Sequence, residues 1–109
     1  MIVTNTNKEL FDMGQIQIKF TEAELKNLKL KKHSYFAYDI KSHGLAIRVY
    51  PSGGKTFYFV YTPKNNSSTQ QISLGKFGKL TITEARAKAL SYMRNMRPMI
   101  TYPRTNIGV

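Results

Sequence analysis

The chain has 109 residues, 41% of them apolar, which suits one modest core with tails rather than a disordered polymer. It contains no cysteine, which excludes a disulfide framework, a thiolate metal site and a cysteine nucleophile, and fits the cytoplasm. Seventeen Lys plus Arg against six Asp plus Glu give a formal charge of +11, and from Ile40 onward eleven basic residues face one acid, Glu84. A field of that sign attracts polyanions, of which nucleic acid is the commonest soluble kind; a basic surface kept for solubility is the plainer alternative. No apolar run approaches the ~20 residues that cross a bilayer. The N-terminus MIVTNTNKELF lacks the cationic-then-apolar layout of a secretory signal.

Residues 1–14 read as a mobile tail. Gln15–Phe20 alternates, as a short strand or extended lead-in would. Thr21-x-x-Glu24 is a capping box, with Phe20 and Leu25 at the staple positions, and predicts a short helix over Glu22–Leu28. Leu25 and Leu28 anchor it, and Lys29, Lys31 and Lys32 suit its C-terminal dipole. Ser34–Ile40 is rich in aromatic residues and reads as a strand. Lys41–Gly44 then turns the chain.

Gly44–Tyr61 is the pattern around which the rest is organised: an alternating strand, a turn at Pro51-Ser52-Gly53-Gly54, and a second alternating strand. Leu45, Ile47 and Val49 share one face with Phe57, Phe59 and Tyr61, apolar enough to need a partner. Ala46, Arg48 and Tyr50, with Tyr58, Val60 and Thr62, make the opposite face. Thr62–Gln70 is a polar loop; its Asn66-Ser67-Ser68 matches a glycosylation sequon, discounted in a signal-less chain. Gln71–Leu74 is the next strand, with Ile72 and Leu74 inward and Ser73 outward. A glycine-punctuated basic loop, Gly75–Lys79, follows.

Thr81-x-x-Glu84 is a second capping box, and the helix it opens runs Ile82–Met96. Ile82, Ala85, Ala89, Tyr92 or Met93, and Met96 form its core stripe, and the alanines let it lie close on a sheet. Pro98 ends it, and residues 98–109 read as a linker or tail.

No constellation for catalysis emerges. His33 and His43 sit in basic turns, Glu24 and Glu84 act as caps, and no phosphate-cradling glycine motif, metal-ligand cluster or serine elbow is present. The outward sheet face suits duplex DNA better, because a major groove about 12 Å wide admits a two-stranded ribbon. Arg48 can fork to guanine O6 and N7. Ser73 and Thr62 can bond a base or phosphate. Tyr50 and Tyr58 can donate to phosphate while packing on sugar, and Val60 can meet a thymine methyl. Lys55, Lys64, Lys76 and Lys79 lie at the sheet ends, within reach of phosphate. Two other readings remain open: a double-stranded RNA-binding module, and a protein-interaction module using Tyr50, Tyr58 and Val60 as an apolar patch.

The pieces Phe20-Thr21-Glu22, Gly44-Leu45-Ala46-Ile47-Arg48-Val49, Pro51-Ser52-Gly53-Gly54-Lys55, Ser73-Leu74-Gly75 and Leu80-Thr81-Ile82-Thr83-Glu84-Ala85-Arg86 occur in a distinctive order. Over residues 20–97 the chain resembles the N-terminal arm-type DNA-binding domain of prophage and genomic-island tyrosine integrases. The resemblance implies an α+β fold: a three- to four-stranded antiparallel sheet with a C-terminal helix packed on one face and a short N-terminal helix. It implies that the free face binds arm-type sites flanking the recombination core, and that the core-binding and catalytic domains of the same integrase are partners. No cofactor, metal, membrane or small-molecule substrate is expected, and nothing matches the integrase catalytic domain. The family often has more arginines on the strand after the Gly-Lys turn, where this chain has Tyr58, Val60 and Thr62. Residues 1–19 are then an N-terminal tail or lead-in, 20–97 the binding domain and 98–109 a linker or C-terminal tail.

Overall fold

The computed structural model describes residues 16–65 and 68–101. The expectations for residues 1–15, for Asn66 and Ser67 of the sequon, and for residues 102–109 lie outside the described residues. The elements in chain order are β1 (Ile16–Ile18), α1 (Glu22–Lys26), β2 (Tyr35–Asp39), β3 (Leu45–Val49), β4 (Lys55–Pro63), β5 (Gln70–Lys76), α2 (Ile82–Met96), a 3-10 turn (Arg97–Met99) and β6 (Ile100–Thr101).

The sheet is larger than expected, and mixed. Its strands run in the order β1-β2-β3-β4-β5, with β6 paired to β4. The β2–β3, β3–β4 and β4–β5 pairs are the expected antiparallel ones. β1 is the departure: it pairs with β2 in parallel, Ile16 opposite Ala37 and Ile18 opposite Asp39. Parallel neighbours need a crossover, and α1 with the lysine-rich segment after it provides one. That segment is tied back to β2, because the Tyr35 hydroxyl donates to the Lys29 carbonyl at 2.6 Å and Lys31 Nζ lies 4.5 Å from the Tyr35 ring centre.

The central hairpin pairs Leu45 with Phe59, Ile47 with Phe57 and Val49 with Lys55. The Gly53 amide donates to the Tyr50 carbonyl at 2.9 Å, and Gly53 has φ +103°, a turn conformation open to glycine at little cost. β5 carries a bulge. Phe57 faces Gly75 but Tyr58 faces Ser73, so Leu74 has no opposite number in the pairing and is buried. Gly75 is required there: its φ is +148°, and a Cβ would stand 3.2 Å from Leu80 Cδ2.

One sheet face meets α2. Leu45, Ile47, Phe57, Phe59 and Leu74 form a single core with Ala37, Phe20, Leu25, Ala85, Ala89 and Ile100. The alanines bring the helix close, and Tyr92 stacks on Phe59 with ring centres 5.7 Å apart. α2 has the expected bounds and capping box: the Glu84 amide donates to Thr81 Oγ1 at 3.0 Å, and the Thr81 amide to Glu84 Oε1 at 2.9 Å. That amide holds the Glu84 carboxyl below its usual pKa. A carboxyl depressed in the folded state stabilises above its unfolded pKa, so this contribution fades as acidification protonates it. Thr81→Ala should cost about 1 kcal/mol of stability by urea denaturation.

The first helix is shorter than the pattern implied. α1 stops at Lys26, and the Thr21 hydroxyl accepts from the Glu24 amide at 3.1 Å. Leu28, expected inside the helix, packs against the core from beyond it. At the other end, Pro98 falls in the 3-10 turn and the chain then re-enters the sheet. Ile100 is buried and pairs with Pro63, and Thr101 pairs with Thr62, so the first part of the expected linker is a strand. Among the described residues no helix is long and apolar enough to cross a membrane.

Candidate nucleic-acid interface

The face opposite α2 is set out in cross-strand rows. Phe36, Arg48, Thr56 and Lys76 are register partners across β2, β3, β4 and β5. Tyr38, Ala46, Tyr58 and Ser73 make the next row. Arg48, Tyr58 and Ser73 therefore do share one surface, as the alternation predicted; Lys76, expected in the loop at the sheet end, is the last residue of β5 and joins them because the bulge shifts the register.

Arg48 is half-buried and held on three sides. Its Nε and Nη2 donate to Ser34 Oγ at 3.1 and 2.9 Å. Its guanidinium carbon lies 5.5 Å from the Phe36 ring centre and 5.2 Å from that of Tyr50, within cation–π range. The hydroxyls of Tyr50 and Tyr58 are 3.1 Å apart, and Phe36 meets Tyr58 edge-on with centres 5.6 Å apart. The bond to Tyr50 pushes the Tyr58 hydroxyl above the usual phenol pKa, burial and the Tyr50 charge add to that, and the Arg48 cation works against it. Phe36 and Tyr38 lie on this face and were left unassigned by the sequence reading. The same holds for Thr56. Alternation back from Tyr58 places Thr56 there, whereas Phe36 and Tyr38 are placed by the pairing of β2 with β3.

The remaining predicted residues divide. Lys55 starts β4, and Lys76 and Lys79 are exposed around the loop after β5, at the end of the sheet that carries the Tyr50–Gly54 turn. Lys64 is exposed at the opposite end, its amide bonded to the Met99 carbonyl at 2.8 Å. Thr62 belongs to that opposite end too; its hydroxyl lies 3.3 Å from that of Thr69, and its carbonyl accepts from Thr101. Val60 is a correction. Only 1% of it is exposed, so it offers no methyl to a base. Its strand neighbours are the backbone of Gly44, whose carbonyl accepts its amide at 2.8 Å, and Gln71. With Val60 buried, the patch behind the protein-interaction reading is reduced to Tyr50 and Tyr58.

Arg86 is missing from the cationic field for a different reason. It bridges α2 to the buried Asp39, with Nε 2.9 Å from Oδ2, and Nη2 donates to the Phe20 carbonyl at 3.2 Å. Among the described residues no group of three His, Cys, Asp or Glu side chains could hold a metal ion.

Fold and face together define a small sheet domain whose side opposite α2 carries cationic and aromatic side chains. A family model described as Arm DNA-binding domain matches residues 20–98, and the chain belongs to that family, the arm-type DNA-binding domain of phage integrases. It is a DNA-binding module, and β1 and β6 lie just outside the matched span. No curated protein matches the chain.

Proposed function

We propose that this chain recognises arm-type sites in double-stranded DNA, with sequence preference, for a tyrosine integrase of a prophage or genomic island. The row Phe36–Arg48–Thr56–Lys76 carries this reading, because it aligns a held arginine with a free lysine across four strands. The sheet enters the major groove, with β3 and β4 over its floor. Neighbouring strands are about 4.8 Å apart, so Lys76 stands about 10 Å from Arg48 in the row, where the groove wall offers phosphate. Arg48 forks to guanine, Tyr50, Tyr58 and Ser73 meet sugar, phosphate or base edges, and Lys55, Lys64, Lys76 and Lys79 bind phosphate. Strand cleavage belongs to the catalytic domain of such an integrase, which, with its core-binding domain, is the module's working partner. The site of action is then the cytoplasm of the host.

Fluorescence anisotropy with a duplex of candidate arm repeats, a scrambled duplex and an RNA duplex tests this. About five phosphate contacts predict a slope of about −4.5 in log affinity against log salt, with the repeat duplex bound most tightly. Arg48→Ala should cost about 1–3 kcal/mol on the preferred duplex and relax its specificity. Equal binding of all three nucleic acids contradicts the proposal, and tighter binding of RNA favours a shape reader of A-form helices instead.

A further inference from the structure

A guanidinium has five N–H donors, disposed along a side edge (Nε with one hydrogen of Nη2) and an end edge (Nη1 with the other hydrogen of Nη2). Either edge can make a two-point contact, and a two-point contact is what reads guanine through O6 and N7. In Arg48 the side edge is occupied: Nε and Nη2 converge on the single oxygen Ser34 Oγ, at 3.1 and 2.9 Å. The flanking rings of Phe36 and Tyr50 oppose tilting of the guanidinium plane. Ser34 comes from the segment just before β2, fourteen residues away in the chain, and is itself half-buried.

We infer that Ser34 is a positioning residue that sets how Arg48 reads DNA, by closing the side edge of the guanidinium and presenting its end edge to a guanine. The inference rests on the proposal that this face reads DNA. Two consequences follow from the chemistry. The preferred site contains a guanine whose N7 matters at one position. Without the Ser34 oxygen, two partly desolvated donors lose their acceptor, and Arg48 turns to seek others among bases and phosphates alike. Discrimination then falls, while affinity from the lysines is unchanged.

The full chain is first used to select a preferred duplex from a randomised pool. Affinities are then measured for that duplex, for a scrambled one, and for versions with single guanines replaced by 7-deazaguanine, which lacks the N7 acceptor. The parent should lose about tenfold at one such position. Ser34→Ala should bind the selected duplex about tenfold more weakly, bind the scrambled duplex as before, and be insensitive to that replacement. Ser34→Thr, which restores the oxygen, should behave as the parent. Thermal melting of each variant separates a folding defect from a reading defect. If Ser34→Ala keeps the parent's discrimination and its 7-deazaguanine sensitivity, the positioning role is overturned, whatever its melting temperature. If the parent shows no preference, or Arg48→Ala retains it, the DNA-reading proposal itself fails and the role of Ser34 falls with it.

Discussion

Arg86→Met is expected to cost about 3–5 kcal/mol of folding stability, because it strands a buried charge. The Asp39 side chain is fully buried. Its oxygens accept from the Phe20 amide at 3.2 Å, the Lys41 amide at 3.3 Å, and Arg86 at 2.9 and 3.4 Å. Three separate parts of the chain therefore meet at one carboxylate: the connection from β1 to α1, the end of β2, and α2. Removing the guanidinium leaves the anion with two amides and no counter-charge. Removing the carboxylate costs less, because Arg86 is 28% exposed and water can replace its partner. The double variant Asp39→Leu, Arg86→Met should recover part of the loss, since no unpaired charge then remains. Urea denaturation of the three variants measures this. A loss below about 1 kcal/mol for Arg86→Met would mean that α2 is held by apolar packing alone.

The second large effect is expected at Phe57. It is fully buried in the central strand β4, opposite Ile47 and Gly75. Its ring lies 6.2 Å from that of Phe20 and 6.0 Å from that of Phe77. Phe57→Ala should cost about 3–5 kcal/mol, the transfer energy of the ring plus a cavity that the flanking strands cannot close. Its neighbours Thr56 and Tyr58 point to the open face, so weaker DNA binding at ambient temperature should follow the loss of folded protein. Binding by the fraction still folded in the cold should be near that of the parent. Weak binding by a fully folded Phe57→Ala protein would show that the packing beneath also shapes the reading face.

Local signals made much of this legible. The bounds of α2 follow from the Thr81–Glu84 box at one end and Pro98 at the other, and its stripe of small and apolar residues chose the buried side. The hairpin followed from strict alternation around Pro51–Gly54, and the same alternation put Arg48, Tyr58 and Ser73 on one face. What was missed depends on distance along the chain. Nothing in Ile16–Ile18 announces a parallel partner about twenty residues on. Asp39 and Arg86 are 47 residues apart, and Arg86 read as one more cation on a basic chain. Val60 has the parity of the open face but is buried there, which alternation alone cannot show. β6 was hidden by the proline before it: Pro98 marks a helix end correctly but says nothing about Ile100 returning to the sheet.

The central claim, that the open sheet face meets DNA, is tested most directly by titrating the isotopically labelled protein with the selected duplex and following its NMR spectrum. The account predicts the largest shifts at Phe36, Arg48, Thr56, Tyr58, Ser73 and Lys76, together with the loops carrying Lys55 and Lys79. Shifts concentrated on the exposed side of α2, at Leu90 and Arg94, with the Arg48 row unmoved, would contradict it.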